Sequence, residues 1–308
     1  MKIVTLTLSP AFDVHFHAEK LELGRENFVR VLGRDAGGKG INISRALRAF
    51  GVESVAVAVL GEDNCGEFRE LLLKEGVSVA PIVIPGRIRE NVTVRTLSGE
   101  ETRMSPSSPD VPFDTLGKIE AITGEVLEPG DVLTLTGSIP RGVPINEIVK
   151  YLKRERERGV RVIVDSRSLT LDDIVEIKPF LIKPNEYEIE KYAGRTVKGI
   201  EEAVKEAESL RTIGIENVMI TLGKGGAVIS SAEGSFAVAA PSVEVRSTIG
   251  AGDSAIAGFI YALSKGESIK NALASSVAFG SAACLSEGTK PPLRETVIEM
   301  LENGIFVE

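Results

Sequence analysis

The chain contains no tryptophan and no glutamine, and only two cysteines and two histidines among its 308 residues. Cys65 and Cys284 lie far apart with no metal-ligand spacing around them, which excludes a disulfide framework and a zinc module and leaves reduced core thiols. His15 and His17 alternate along one strand-like segment and read as surface or pocket-wall residues rather than metal ligands. No apolar run approaches the roughly 20 residues that a membrane span needs. The longest lies around Ala255 to Leu263, and the N-terminus opens on a strand rather than a leader peptide, so a cytoplasmic protein with no membrane partner is expected. A surplus of positive charge is also missing: 36 Lys and Arg face 44 Asp and Glu, giving a net charge of -8. That balance argues against nucleic acid or an anionic membrane as the main partner, so any phosphate site must be local. The missing Gln and Trp, with charge-dense runs such as "KYLKRERERG", lean towards a heat-adapted source.

What the chain does contain is ordinary for a globular core, with 43% hydrophobic and 26% charged residues. Strand-length Val, Ile, Leu and Thr runs ("KIVTLTLS", "ESVAVAVLG", "DVLTLTGS", "VRVIVDS", "PFLIKPN", "NVMITLG", "GAVISS") alternate with helix candidates. The candidates span Asn42 to Phe50, Cys65 to Glu75, Phe113 to Val126, Ile145 to Arg158, Glu186 to Ala193, Ile200 to Ile213, Gly252 to Lys265, Ile269 to Ser286 and Leu293 to Leu301. Uniformly apolar strands in alternation with helices predict a doubly wound α/β fold, a mostly parallel sheet with helices on both faces and ligands at the carboxyl ends of its strands. Two segments break the rhythm, approximately 10–35 and 86–108. Their alternating polarity and the turn signal "SGEE" predict antiparallel strands forming one small sheet over the site, inserted in a single core spanning 1–308. The chain shows no tandem repeat, low-complexity segment or interdomain linker.

Two glycine clusters carry the chemistry. In "STIGAGDSAIAGF", Ser247 to Phe259, Asp253 follows Gly250, Ala251 and Gly252 and precedes small apolar residues that read as a buried helix. Glycines let bare amides approach a ligand, and a helix start holds partial positive charge for an anion. A carboxylate there is either an N-cap or a base built into an anion site. In "AGGKGINISRALRAFG", Gly37, Gly38 and Gly40 flank the cation Lys39, and Asn42 opens a helix with an apolar face. The spacing is neither that of a P-loop nor that of a dinucleotide fingerprint, and "LGKGG" lacks the acidic partner a nicotinamide site needs. Spacing alone leaves each cluster open between a phosphate site and a tight turn at a helix start.

Taken together, Gly37 to Gly61 and "STIGAGDSAIAGF" resemble the two signatures of the PfkB/ribokinase family of carbohydrate kinases. Five further landmarks stand in the family's order: "LSPAFD", "TGSIPRG", "VDS", "KPNEYE" and "TLGKGGA". The resemblance covers nearly the whole chain. It implies a ribokinase-like, Rossmann-like core with a β-sheet lid. It also implies Asp253 as the general base on the acceptor hydroxyl, with the Gly250, Ala251 and Gly252 amides as anion hole. By the same resemblance, Asn185 and Glu188 organise Mg2+, mostly through water. Lys183, Thr221, Gly223, Lys224 and Gly226 would line the nucleotide, with Phe279, Gly280 and Ala283 near the adenine.

On the acceptor side, Asp13, Gly38, Lys39 and Asn42 match the family's sugar-binding positions. Arg89, Asn91 and Arg103 match the phosphate-holding lid residues of its phosphosugar branch, the 1-phosphofructokinases and tagatose-6-phosphate kinases, and guanidinium forks suit that task. The resemblance therefore implies a phosphosugar kinase, with fructose 1-phosphate as acceptor and fructose 1,6-bisphosphate as product, and ATP as donor. The alternatives in order are ribose 1-phosphate, phosphorylated at its 5-hydroxyl with ADP as a possible donor, then tagatose 6-phosphate or fructose 6-phosphate, then a nucleoside or free sugar. A catalytically silent sugar-phosphate sensor would be expected to have lost Asp253 or a glycine beside it. A homodimer through the lid is a further expectation. Two departures stand out: Ser9 where the family has Asn, and "DSRSL" in place of D-x-S-G, which leaves the role of Arg167 open.

Overall fold

The computed structural model describes residues 1–286 and 288–303. Its first half runs β1 (Ile3–Thr7), β2 (Ala11–Ala18), β3 (Arg30–Gly37), α1 (Lys39–Ala49), β4 (Val55–Gly61), α2 (Cys65–Lys74), β5 (Ser78–Ile84), β6 (Arg89–Thr96), β7 (Glu101–Met104), α3 (Thr115–Val126), β8 (Val132–Thr136) and α4 (Ile145–Glu157). The second half runs β9 (Arg161–Asp165), α5 (Leu171–Ile177), β10 (Leu181–Ile182), α6 (Glu186–Ala193), α7 (Gly199–Thr212), β11 (Asn217–Thr221), β12 (Ala227–Ser231), β13 (Gly234–Val238), α8 (Ala251–Ser264), α9 (Ile269–Ala283) and α10 (Arg294–Asn303).

A nine-stranded sheet, ordered β13-β12-β11-β10-β9-β8-β1-β4-β5, forms the core. Its strands pair in parallel from β5 to β11, and the hairpins to β12 and β13 are antiparallel. Alternate side chains feed two faces, as the period of two requires. Val4, Leu6, Leu133, Leu135, Val162 and Val164 pack with α3 to α7, whereas Ile3, Val132, Ile163 and Met219 pack with α1, α8, α9 and α10. Helices α8 and α9 meet closely because Gly258 has no side chain; a Cβ there would fall on the Ser275 carbonyl.

Three elements go beyond the sequence reading. Strand β5 contains Pro81 and is the edge of the sheet, where a missing N–H leaves no ladder bond unmade. Helix α5 is a two-turn helix made by a capping box, Thr170 and Asp173 each accepting the other's backbone N–H. Strand β13 extends the sheet beyond β12. Conversely, "PFLIKPN" yields only the two residues of β10, bounded by Pro179 and Pro184.

A second sheet of four strands, ordered β3-β2-β6-β7, comes from the two segments that break the alternation. One expectation is corrected here. The β2–β3 and β6–β7 pairs are antiparallel, but β2 pairs with β6 in parallel, Asp13 opposite Asn91 and His15 opposite Thr93. Two long-range segments leave the core in the same direction, so their first strands run side by side. Phe12 roots this sheet on α2 by an edge-to-face contact with Phe68, ring centres 5.1 Å apart.

Candidate active site

Residues just past the carboxyl ends of the parallel strands converge on one cavity of about 1220 Å³: Ser9 after β1, Gly137 after β8, Asp165 ending β9, Lys183 after β10 and Thr221 ending β11. This is the crevice that an open α/β sheet offers a ligand. The small sheet contributes Asp13, Arg89, Asn91 and Arg103 from one side, and the start of α8 contributes Gly250, Ala251, Gly252 and Asp253 from the other.

Gly250 caps α8 in the left-handed conformation, φ 81°, which presents the first-turn amides without a side chain over them. The Ala251 N–H lies 3.3 Å from the Thr248 carbonyl, while the Gly252 and Asp253 amides, as first-turn positions, have no intrahelical acceptor. Asp253 is 6% exposed, and Asn42 donates from Nδ2 to its Oδ2 at 2.8 Å. Burial raises its carboxyl to about 6, against the lowering effect of Lys39 and Asn42. An acid of that strength is deprotonated at neutral pH yet basic enough to take a proton.

Helix α1 starts at Lys39, three residues before the expected Asn42, because Gly38 serves as its cap and the Gly38 carbonyl accepts from Asn42 N–H at 2.8 Å. A lysine at the first position of a helix opposes the dipole. Asp165 compensates, accepting from Lys39 Nζ at 2.9 Å, and Lys183 Nζ approaches the same Asp165 oxygen at 3.8 Å. Burial opposes the Lys39 charge, but Asp165 and then Asp253 outweigh it and raise its pKa. Burial likewise opposes the Asp165 carboxylate, and Lys183 and Lys39 win, holding it below the ordinary range. Two ammonium groups thus stand fixed beside the start of α8, with Lys183 Nζ 3.3 Å from where a Cβ on Gly252 would be.

At the other end, Asp13 Oδ1 accepts from Asn91 Nδ2 and Arg103 Nη2, both at 2.9 Å. Gly37 makes room for this carboxylate, since a side chain there would collide with Asp13 Oδ2. Arg89 donates to the carbonyls of Pro106 and Ser9, at 2.8 and 3.4 Å. Burial, and the nearby Arg103 charge, lower its pKa. Buried polar atoms without a partner among the described residues occur at both ends: Arg89 Nε and Asn91 Oδ1 here, and Asn42 Oδ1 beside Asp253. Each such atom costs about 1–3 kcal/mol unless a ligand satisfies it.

On the nucleotide side of the expectation, Lys183, Thr221, Gly223, Lys224, Gly226 and Gly280 all line the cavity, as do Asn185 and Glu188. Asn185 and Glu188 form a capping box at the start of α6, Asn185 Oδ1 accepting from Glu188 N–H at 2.9 Å and Glu188 Oε2 from Asn185 N–H at 3.1 Å. Phe279 and Ala283, expected near the adenine, stand behind the residues that line the cavity. Phe279 is fully buried between Phe50 and Tyr261, ring centres 4.1 and 5.5 Å away, and Ala283 is 3% exposed. On α9 the cavity meets Ser276, Val277, Gly280 and Ser281, and just past its end Cys284. Besides Arg167, whose role it left open, sequence reasoning gave no role to Asp165. Its signal was available, as a carboxylate ending a uniformly apolar parallel strand. His15 sits apart from the cavity, its Nε2 3.8 Å from Asp35 Oδ2.

The model of the pfkB carbohydrate kinase family matches residues 12–296. The chain belongs to the pfkB family of carbohydrate kinases. As such it is a phosphotransferase that uses a hydroxyl as acceptor. The kinase is 34% identical to 1-phosphofructokinase of Escherichia coli K12 over 272 residues, covering 88% of this chain and 87% of that protein. It is 31% identical to 1-phosphofructokinase of Bacillus subtilis over 300 residues, covering 97% and 98%. Among solved structures, phosphofructokinase-2 from Escherichia coli in complex with substrates and products superposes with a TM-score of 0.92 at 27% identity, covering 98% of this chain and 99% of that one. Its complex with fructose-6-phosphate superposes with a TM-score of 0.91 at 27% identity, covering 98% of each. The ribokinase-like architecture expected from the two glycine signatures is the one the kinase has. None of its described helices is long and apolar enough to cross a membrane.

Proposed function

We propose that the kinase transfers the terminal phosphoryl group of ATP to a hydroxyl of a sugar phosphate, fructose 1-phosphate first, giving fructose 1,6-bisphosphate. The observation that carries this reading is the two-pole cavity. One pole holds a buried carboxylate of pKa about 6 beside a helix start and two fixed ammonium groups. The other holds two guanidinium groups that repel each other, and both poles carry buried polar atoms without a partner among the described residues. An acceptor that carries both an anion and several hydroxyls satisfies that second pole. A free sugar leaves two guanidinium groups with Asp13 as their shared counter-charge.

In this reading Asp253 takes the hydroxyl proton, and Asn42 keeps its carboxylate aimed. The Gly252 and Asp253 amides, with Lys183, receive the charge that develops on the transferred group. Asp13 holds acceptor hydroxyls; Arg89 and Arg103 hold its phosphate. For Mg2+ the donor set fits a cation carried by the nucleotide. Among the described residues no group of three or more His, Cys, Asp or Glu gathers to cage a metal. Glu188 and Asn185 are engaged with each other and suit the ordering of a hydrated ion's waters. Bound there, Mg2+ would neutralise charge on the donor phosphates. The test is a phosphotransfer panel offering ATP and ADP against fructose 1-phosphate, fructose 6-phosphate, tagatose 6-phosphate, ribose 1-phosphate, ribose, fructose, adenosine and cytidine. Turnover confined to phosphorylated acceptors is expected, and turnover only with a free sugar or nucleoside overturns the reading. Fructose 6-phosphate is the second candidate, because it is the ligand in the superposed complex of phosphofructokinase-2.

The small sheet acts as a lid and as a dimer contact. Its strands and the β2–β3 connection leave Phe28, Val31, Leu32 and Met104 at 85%, 63%, 47% and 50% exposure, an apolar surface that a second copy would cover. Sedimentation is expected to give twice the 32.9 kDa chain mass. Val31→Glu combined with Leu32→Glu should return it to one chain mass, and a wild type that sediments as a monomer rules the contact out.

A further inference from the structure

Arg167 lies in the turn after β9 and lines the cavity, at the departure from the family's D-x-S-G pattern. Its Nε donates to Glu188 Oε1 at 2.8 Å, while the other Glu188 oxygen is held by the Asn185 amide. Glu188 is therefore pinned from both sides. The carboxylate side chain is 13% exposed and the arginine side chain 72%. An exposed pair of this kind adds about 0–1 kcal/mol to a fold. The start of α6 does not need it either, because the capping box already satisfies those amides. Among the described residues, only one of the guanidinium's five N–H groups is engaged. Nη1 and Nη2 donate to no acceptor among the described residues. A guanidinium fixed by one edge, with its fork open to a cavity that also holds Lys39 and Lys183, matches the geometry of a phosphate oxygen pair.

We propose that Arg167 is a positioning residue with two working edges, Nε fixing the Glu188 carboxylate and the Nη fork receiving donor phosphate oxygens. It rests on the nucleotide reading of the cavity. Two consequences follow from charge. Arg167 supplies part of the neutralisation that the donor phosphates otherwise draw from a divalent cation, and by occupying Glu188 it withholds one carboxylate oxygen from that cation's waters. The wild-type protein thus binds nucleotide with a weaker dependence on Mg2+ than it would without Arg167.

The test is calorimetric titration of ATP, without acceptor, into wild type, Arg167→Ala and Arg167→Lys, each with saturating Mg2+ and with EDTA. In EDTA, Arg167→Ala is expected to weaken ATP binding by about tenfold, the scale of one charge-assisted hydrogen bond. With Mg2+ the loss should shrink to about threefold or less, because the cation takes over the neutralisation. Arg167→Lys keeps the charge without the fork and falls between the two. Equal losses under both conditions, or none, overturn the inference while leaving the kinase reading intact. A wild type that binds no ATP under either condition overturns both.

Discussion

Asp253→Asn is expected to lower kcat by about 10²–10⁴-fold, the usual contribution of a positioned general base. Nucleotide affinity should stay within a small factor of wild type, because the amide preserves the side chain's shape and its acceptor for Asn42. The same substitution has a signature in stability that reads the burial of the carboxyl independently of turnover. Burial raises Asp253 from 3.8 to about 6. Between those two values the folded chain holds a proton that the unfolded chain has released, so this group's contribution to stability falls as pH rises through that window. Above about pH 6 both states are ionised and the folded state bears the full penalty, about two units or roughly 3 kcal/mol at most. The variant should therefore melt higher than wild type at pH 8, and the difference should vanish below pH 4. Wild-type kcat/KM should rise with pH up to about 6 and then level. Retained turnover in the variant would remove Asp253 from the chemistry. A flat wild-type profile between pH 5 and 7 would remove the raised carboxyl.

Arg89→Ala should raise KM for the sugar phosphate by roughly thirty- to a thousandfold, about 2–4 kcal/mol, as for truncating one member of a desolvated charge pair. Turnover of bound substrate should change far less, since Arg89 is held by the Pro106 and Ser9 carbonyls and makes no hydrogen bond to Asp253 among the described residues. The physical basis is the strain in the free site. Two guanidinium groups are held close, one half-buried with a partnerless Nε, and an anion between them relieves both burdens. Arg89→Lys keeps the charge but loses the fork and should recover part of the affinity. Arg103→Ala should behave differently, because Arg103 also pairs with Asp13 and its loss frees a carboxylate meant for hydroxyls. An unchanged KM in Arg89→Ala would return Arg89 to a structural role at the root of the lid, where it ties Ser9 to Pro106.

How far the sequence reached depended on whether the deciding interaction was local. Alternating apolar runs fix the parallel sheet and its two helical layers, because burial on both faces leaves a continuous apolar strand. The glycine clusters fix the anion pole for a similar reason. Gly250 marks a left-handed turn that side chains rarely adopt, and Gly37 a place where the Asp13 carboxylate comes close. Pro81 obscured β5 because proline's tolerance depends on being at an edge, which is a property of the whole sheet.

The remainder belongs to tertiary structure. Nothing in "AGGKG" says that Lys39 would meet Asp165, 126 residues away, nor that Asn42 would meet Asp253, 211 residues away. The parallel pairing of β2 with β6 depends on how two distant segments leave the core. Phe279 and Gly280 are neighbours in sequence, yet helical geometry sends one into the core and the other to the cavity. Residue type thus determined which chemistry this chain could perform. The fold decided which charges stand buried together: burial raises Asp253 to a working base, and pairing against that burial holds Lys39 and Asp165 ionised.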